Sequence, residues 1–175
     1  LVSLFQGVGA QEAMATVLGE TYAKQDRERT KEALAFLLKI LFITSVIAVA
    51  GALLAPWIAG RLYNNSHIGS YAAIVILAVI FSTTFFSLAS LVLQVSGRIK
   101  AMMMLGLTDQ VVRYGLSVGL VFFGLGIGGA VSGHLAGAVI IFITSLIIWE
   151  RLRRKYPFFP SLRKLFRQAQ TVSLK

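Results

Sequence analysis

Charged side chains inside long apolar runs are the residues of this chain best placed to do chemistry. Asp109 and Arg113 lie in the first half of an apolar run over residues 102–127, and Glu12 lies in a semi-apolar run over residues 1–19. A charge within a lipid bilayer is costly unless it is paired or hydrated, so such residues usually serve binding or transport. Asp109 and Arg113 are four residues apart, which places them on one helix face and allows an ion pair.

The depth of these charges depends on where each run enters the bilayer. If the run begins at Met102, Arg113 lies about three helical turns inside it. If the span begins near Gln110, Asp109 and Arg113 both lie at the membrane surface, where charges are common. The same two interpretations hold for Glu12, because residues 1–19 are expected to be the end of a span that starts before Leu1.

The remaining residues show no pattern that is typical of an enzyme. The chain has two histidines, His67 and His134, and no cysteine, which excludes disulfides and thiol chemistry. Ser132 lies two residues before His134, and neighbours at that spacing point to different faces of a helix. The sequence has no His-Glu-x-x-His pattern, no carboxylate cluster at metal spacing and no phosphate-binding glycine loop. We therefore expect no enzyme, no metal site and no bound cofactor.

Four long apolar runs must position these charges. Apolar residues make up 57% of the 175 residues and the mean hydropathy is +0.78, well above the usual globular composition. Each run reaches the ~20 residues that a helix needs to cross a bilayer. None shows the alternation of a membrane β-barrel, so the fold is predicted to be all-α, a polytopic transmembrane helical bundle. The predicted spans are residues 34–58, closed by Pro56 and Trp57, then 71–96, 102–127 and 130–149, with Gly128–Gly129 as the turn of the last hairpin.

The distribution of positive charge predicts how these spans are oriented. Sixteen of the seventeen Lys and Arg residues are counted on one side, in alternate gaps, in the tail or in the helices that adjoin those gaps, and Arg61 alone is counted on the other. Because cytoplasmic segments retain Lys and Arg, we expect a multi-pass protein of the cytoplasmic membrane. The calculated pI near 10.4 does not indicate nucleic-acid binding, since the basic residues lie at membrane borders. We divide the chain into a transmembrane lobe of about five spans, residues 1–150, and a cytoplasmic basic amphipathic linker, residues 151–175.

The tail and the glycines each allow two interpretations. Apolar residues in the tail recur at helical spacing, opposite Arg163, Lys164 and Arg167, which is typical of a helix lying on an anionic leaflet but also of a linker. Glycines in the last two spans form ridges that let helices approach closely, either for packing alone or as a sliding surface. The apolar tail residues are Leu162, Leu165, Phe166, Ala169 and Val172, and the ridges are Gly129, Gly133 and Gly137, with Gly115 and Gly119 as a shorter one.

Several short motifs, in order along the chain, resemble those of one transporter superfamily. Residues 7–14 (GVGAQEAM) and 19–26 (GETYAKQD) are similar to the second helix and first cytoplasmic loop of polysaccharide-type flippases. Residues 96–98 (SGR) resemble the junction that ends a later span, and residues 124–130 (GLGIGGA) resemble the hairpin between helices five and six. These flippases belong to the multidrug/oligosaccharidyl-lipid/polysaccharide (MATE-like) superfamily. The resemblance covers nearly the whole chain and implies helices two to six of an amino-terminal six-helix lobe, with a carboxy-terminal lobe as the alternative.

The resemblance implies a function and roles for the charged residues. Members of this superfamily rock two helical lobes around a central cavity that accepts the pyrophosphate and sugar of a polyprenyl-linked glycan. Arg113 would pair with phosphate oxygens, Asp109 would tune or gate that contact, and Glu12 would contribute to coupling with a proton or sodium gradient. The partners expected are the lipid-linked glycan, the bilayer and polysaccharide-assembly proteins. The alternatives are a multidrug or lipid II exporter of the same superfamily, or a non-transporting membrane scaffold.

Overall fold

The protein is built almost entirely from helices. The computed structural model describes residues 10–156 and 158–171, with side chains over 13–156 and 158–169. No strand occurs in these described ranges, so the prediction of an all-α polytopic bundle is confirmed. The helices are α1 (Ala10–Ala23), α2 (Arg27–Tyr63), α3 (Ser66–Val95), α4 (Ile99–Leu120), α5 (Gly126–Lys155) and α6 (Leu162–Thr171).

Three helical segments are long and apolar enough to cross a membrane. They are Arg27–Tyr63, Ser66–Val95 and Ile99–Lys155. The third segment folds back on itself through a five-residue π-helical turn, Val121–Leu125, so that α4 and α5 pack side by side as an antiparallel hairpin. The predicted apolar runs therefore correspond to α2, α3, α4 and α5.

The turn of this hairpin lies earlier than predicted. Gly124 and Gly126 have φ angles of +83° and +54°, a backbone conformation that favours glycine because it has no Cβ. Gly129, which was expected to form the turn with Gly128, lies inside α5 and is buried. The prediction was wrong because a run rich in glycine does not show which of its members adopts the positive φ.

Helix α2 also extends further than predicted. Pro56 was expected to close the span, but the helix continues through it to Tyr63. A proline inside a helix removes one backbone hydrogen bond and usually kinks the chain. Close packing against α3 holds this region, since a Cβ on Gly69 would lie 2.3 Å from the carbonyl oxygen of Ala55 and 2.4 Å from Pro56 Cα.

The loops gather at two opposite ends of the bundle. At one end, Arg98 Nη2 donates a hydrogen bond to Tyr156 Oη at 2.8 Å, and the Tyr22 ring lies 5.2 Å from that of Phe158. These contacts join the α1–α2, α3–α4 and α5–α6 connections into what we call the basic end, because most Lys and Arg residues cluster there. The Asn64–Asn65 and Val121–Leu125 turns form the other end of the bundle. Among the described Lys and Arg residues, only Arg61 lies near it.

The hydrophobic core lies towards the basic end and includes the tail. Leu165 of α6 is fully buried and Ala169 is 8% exposed, because this face of α6 packs against α2. The predicted amphipathic helix is present, but the bundle rather than a lipid leaflet covers most of its apolar face. Phe166 remains exposed, while Val172 and Pro157 lie outside the described residues. The largest fully buried side chains are Trp149, Leu34, Leu88, Leu91, Ile141, Leu165 and Val92.

Candidate functional site

The predicted charges Asp109 and Arg113 lie near the middle of α4. This helix begins at Ile99 and ends at Leu120. At 1.5 Å per residue, Asp109 lies about 15 Å from its start, and the whole helix is about 33 Å long, close to the thickness of a bilayer core. The helix begins well before Gln110 and carries both charges in its interior, while their depth in a bilayer stays a prediction.

Asp109 and Arg113 form an ion pair that neighbouring helices enclose. Asp109 is only 4% exposed, and the Arg113 side chain is 16% exposed. Arg113 Nη2 pairs with Asp109 Oδ2 along the helix, while Arg113 Nη1 donates to Ser82 Oγ of α3 at 3.4 Å. Gly137 of α5 lies directly against Arg113, since a Cβ at this glycine would lie 2.7 Å from Arg113 Cα. Three helices therefore meet at this pair.

The pair belongs to a polar stripe with unused hydrogen-bonding groups. Asp109, Arg113 and Ser117 follow one another at intervals of four residues, which places them on one face of α4. Asp109 Oδ1, Arg113 Nε and Ser117 Oγ are buried, and none has a hydrogen-bond partner among the described residues. Buried polar groups without partners are rare and unfavourable. The stripe is thus equipped to bind a polar group of a ligand or water.

The other predicted site residue, Glu12, lies in α1. This helix packs against α2 and α3, whereas the ion pair lies on α4. The side chain of Glu12 lies outside the described part of the structure, and its role in ion coupling stays a prediction. Residues 7–9, which begin the first motif of the family resemblance, also lie outside the described residues.

Ser132 and His134 make separate contacts. The Ser132 hydroxyl donates to the carbonyl oxygen of Gly128 at 2.7 Å, and the His134 ring lies 6.3 Å from that of Tyr114 on α4. The serine therefore has a backbone partner of its own, as many hydroxyl groups in helices do. Over the ranges that the structure describes, His, Asp and Glu residues form no group that could hold a metal ion.

The longer glycine ridge places α5 against the helix that carries the ion pair. A Cβ added at Gly133 would lie 2.6 Å from the carbonyl oxygen of Leu116, so the two backbones are in direct contact. Gly115 is different, because no described atom outside the backbone of its own helical turns lies within 4 Å of an added Cβ, and the same is true of Gly119. The packing interpretation of the longer ridge is supported. A sliding role stays a prediction.

Sequence reasoning missed two members of the site. Ser117 was not singled out, although its spacing of four residues from Arg113 already placed it on the charged face. The Ser82 hydroxyl donates within its own helix to the Val79 carbonyl oxygen at 3.1 Å, as many serines in helices do. Its contact with Arg113 joins residues thirty-one positions apart, which no local pattern indicates.

Long apolar helices that pack as hairpins around a buried ion pair define a polytopic α-helical membrane protein. A family model described as "Polysaccharide biosynthesis protein" matches residues 2–172. The chain belongs to this family. Neither a curated protein nor a solved structure matches the chain.

Proposed function

We propose that the protein is a flippase that moves polyprenyl-pyrophosphate-linked oligosaccharide across the cytoplasmic membrane by alternating access. The observation that carries the proposal is the ion pair between Asp109 and Arg113, which lies mid-helix and keeps unused hydrogen-bonding groups on both partners. The family match supports a role in polysaccharide biosynthesis, and charges buried within membrane helices commonly mark substrate pathways. In this proposal, the chain is one lobe of a two-lobe transporter.

Arg113 is the proposed contact for the pyrophosphate. A guanidinium group binds phosphate oxygens through two parallel hydrogen bonds, and Arg113 has a free Nε–H among the described residues. Asp109 neutralises Arg113 before substrate arrives, so the pair is less costly within the membrane than either charge alone. When phosphate enters, it competes with Asp109 for the guanidinium, which gives Asp109 a gating role. Ser117 supplies a further hydroxyl group on the same face.

Reconstitution of the full-length protein tests the proposal directly. Proteoliposomes are loaded with a fluorescent polyprenyl-pyrophosphate glycan, and an impermeant lectin outside reports how much glycan crosses the bilayer. A flippase raises the accessible fraction with time, whereas protein-free vesicles do not. A non-transporting scaffold leaves the fraction unchanged, and a multidrug exporter transports lipophilic cations instead of the glycan lipid. Either of these outcomes contradicts the proposal.

The proposed orientation gives a separate prediction. The chain has no cysteine, so a single introduced thiol reports its own location. Ser66→Cys lies beside the Asn64–Asn65 turn, and Ser96→Cys lies at the basic end. In intact cells we expect an impermeant maleimide to label Ser66→Cys and to leave Ser96→Cys unlabelled until the cells are lysed, because Lys and Arg stay in the cytoplasm. The reverse pattern contradicts this orientation.

A further inference from the structure

Four cations surround a pocket at the basic end, away from the ion pair of α4. The pocket has a volume of about 360 Å³ and lies where α2, α5 and α6 meet. Its positively charged residues come from three separate helices, and none of its lining residues is acidic. The cations are Arg27 and Lys31 of α2, Arg153 of α5 and Lys164 of α6, and the remaining lining residues are Phe158, Phe159, Pro160 and Ser161.

The floor of this pocket is made of two phenylalanines that pack into the core. Phe158 and Phe159 are 7% and 4% exposed, and their rings contact each other and the Tyr22 ring. These aromatic contacts pack the connection between α5 and α6 against the core, beneath the cations of the pocket. A pocket that is already formed binds a ligand without the cost of ordering its walls.

Two of the four cations have no carboxylate partner in the part of the chain that the structure describes. Lys31 Nζ pairs with Glu28 Oε1 at 2.5 Å, and Arg153 Nε donates to Glu150 Oε2 at 2.9 Å. Within the described residues, neither Arg27 nor Lys164 makes an ion pair, so the pocket retains a positive charge. Exposed like charges that converge without counter-charge repel one another, and an anion relieves that repulsion.

The beginning of α6 adds hydrogen-bond donors to this charge. Ser161 precedes the helix, and its hydroxyl accepts a hydrogen bond from the Lys164 backbone N–H at 3.4 Å. The N–H groups of a first helical turn have no partner inside the helix, and they favour negative charge. Phosphate is an anion that arginine and lysine side chains and such N–H groups commonly bind together.

We propose that this pocket binds a phosphate group through Arg27, Lys31, Arg153 and Lys164. The group belongs either to an anionic lipid headgroup in the adjacent leaflet or to a soluble phosphate compound. In both cases phosphate joins the first turn of α2, the end of α5 and α6, and thereby fixes the tail on the bundle. This site does not depend on the proposed transport function, since it shares no residue with the ion pair of α4.

A pair of double variants with the same change in net charge tests the site. Arg27→Gln/Lys164→Gln removes the two cations of the pocket that make no ion pair with a described residue. Arg29→Gln/Arg167→Gln removes two cations from the same helices that do not line it. All four residues are exposed, so both variants are expected to fold, and far-ultraviolet circular dichroism checks their helix content.

Two probes distinguish the sources of the phosphate. Native mass spectrometry counts phosphatidylglycerol retained by protein released from phosphatidylcholine–phosphatidylglycerol nanodiscs. Calorimetry measures inorganic pyrophosphate binding in a neutral detergent without anionic lipid. For whichever probe binds the wild type, we expect the pocket variant to weaken binding about fivefold for each cation removed. The control variant should stay within about twofold of the wild type, because its charges lie outside the pocket.

Each outcome has a defined meaning. Loss of lipid retention in the pocket variant supports a lipid headgroup, and loss of pyrophosphate binding supports a soluble compound. If both variants bind each probe equally well, or lose binding equally, the attraction is one of net charge alone and the proposed site is wrong. A failure of glycan-lipid transport in proteoliposomes would leave this result unaffected.

Discussion

Full-length protein that carries Arg113→Ala is expected to insert into the membrane normally but to transport glycan lipid at about a hundredth of the wild-type rate. The guanidinium of Arg113 is the proposed contact for pyrophosphate, and two charge-assisted hydrogen bonds are together worth about 3 kcal/mol or more, which corresponds to this factor. The rate is measured with the lectin assay in proteoliposomes. Arg61→Ala removes an arginine at the other end of the bundle and should keep wild-type transport.

A purely structural role for the ion pair requires a separate test. Arg113→Ala leaves Asp109 buried without its counter-charge, and breaking such a pair costs about 3–5 kcal/mol of stability. Asp109→Ala/Arg113→Ala removes both charges, so most of this stability should return. If Arg113 binds substrate, transport stays low in the double variant although the protein is stable. Wild-type transport by the double variant would show that the pair only holds α4 in place.

Arg113→Lys measures how much the shape of the guanidinium contributes. Lysine keeps the positive charge next to Asp109, so the stability of the bundle should change little. It has a single ammonium group and cannot make the two parallel hydrogen bonds that arginine makes with phosphate. We expect a transport rate between the rates of the wild type and of Arg113→Ala. Transport equal to wild type would indicate that charge alone suffices.

Gly137→Ala and Gly115→Ala are expected to change stability in opposite directions. A methyl group at Gly137 would lie 2.7 Å from Arg113 Cα and 2.8 Å from Arg113 Cγ, so α4 and α5 must separate. Overpacking of this kind costs about 1–3 kcal/mol. At Gly115 the new methyl group meets no described atom within 4 Å outside the backbone of its own helical turns, and alanine favours helix by up to ~1 kcal/mol over glycine. Reversible unfolding in mixed micelles measures both free energies.

The same pair of variants also tests the link between packing and function. Because Gly137 lies against Arg113, the methyl group of Gly137→Ala should displace the guanidinium and reduce the transport rate. Gly115→Ala should transport at the wild-type rate. Equal stability and equal transport for the two variants would show that the close contact between α4 and α5 has no energetic consequence. Loss of transport by Gly115→Ala would instead point to a role for the shorter glycine ridge.

Much of the fold could be predicted because membrane insertion depends on local properties. The length and hydropathy of a run determine whether its helix crosses a bilayer, and backbone hydrogen bonding excludes other structures there. The alternation of charged and uncharged gaps places connections at opposite ends. Helix boundaries were less accurate, since α2 continues beyond Pro56 and the last hairpin turns at Gly124 and Gly126.

The tail shows where a local pattern is insufficient. The spacing of Leu162, Leu165 and Ala169 predicts an amphipathic helix, and α6 is one. An apolar face is equally suited to lipid or to protein, and only the position of α2 decides between them. Because Phe158 and Phe159 pack on Tyr22, the tail turns back onto the bundle and Leu165 is buried there.

The sequence by itself determined that apolar helices carry Asp109 and Arg113 on one face and keep nearly all other cations at one end. These properties follow from helical periodicity and from the cost of charge in lipid, which act within a single helix. Tertiary structure decided that Ser82 and Gly137 meet Arg113, and that cations of three helices surround one pocket. These contacts between helices depend on the angle and relative position at which the helices cross. Both are set by the packing of whole helix surfaces, which no single segment of the sequence shows.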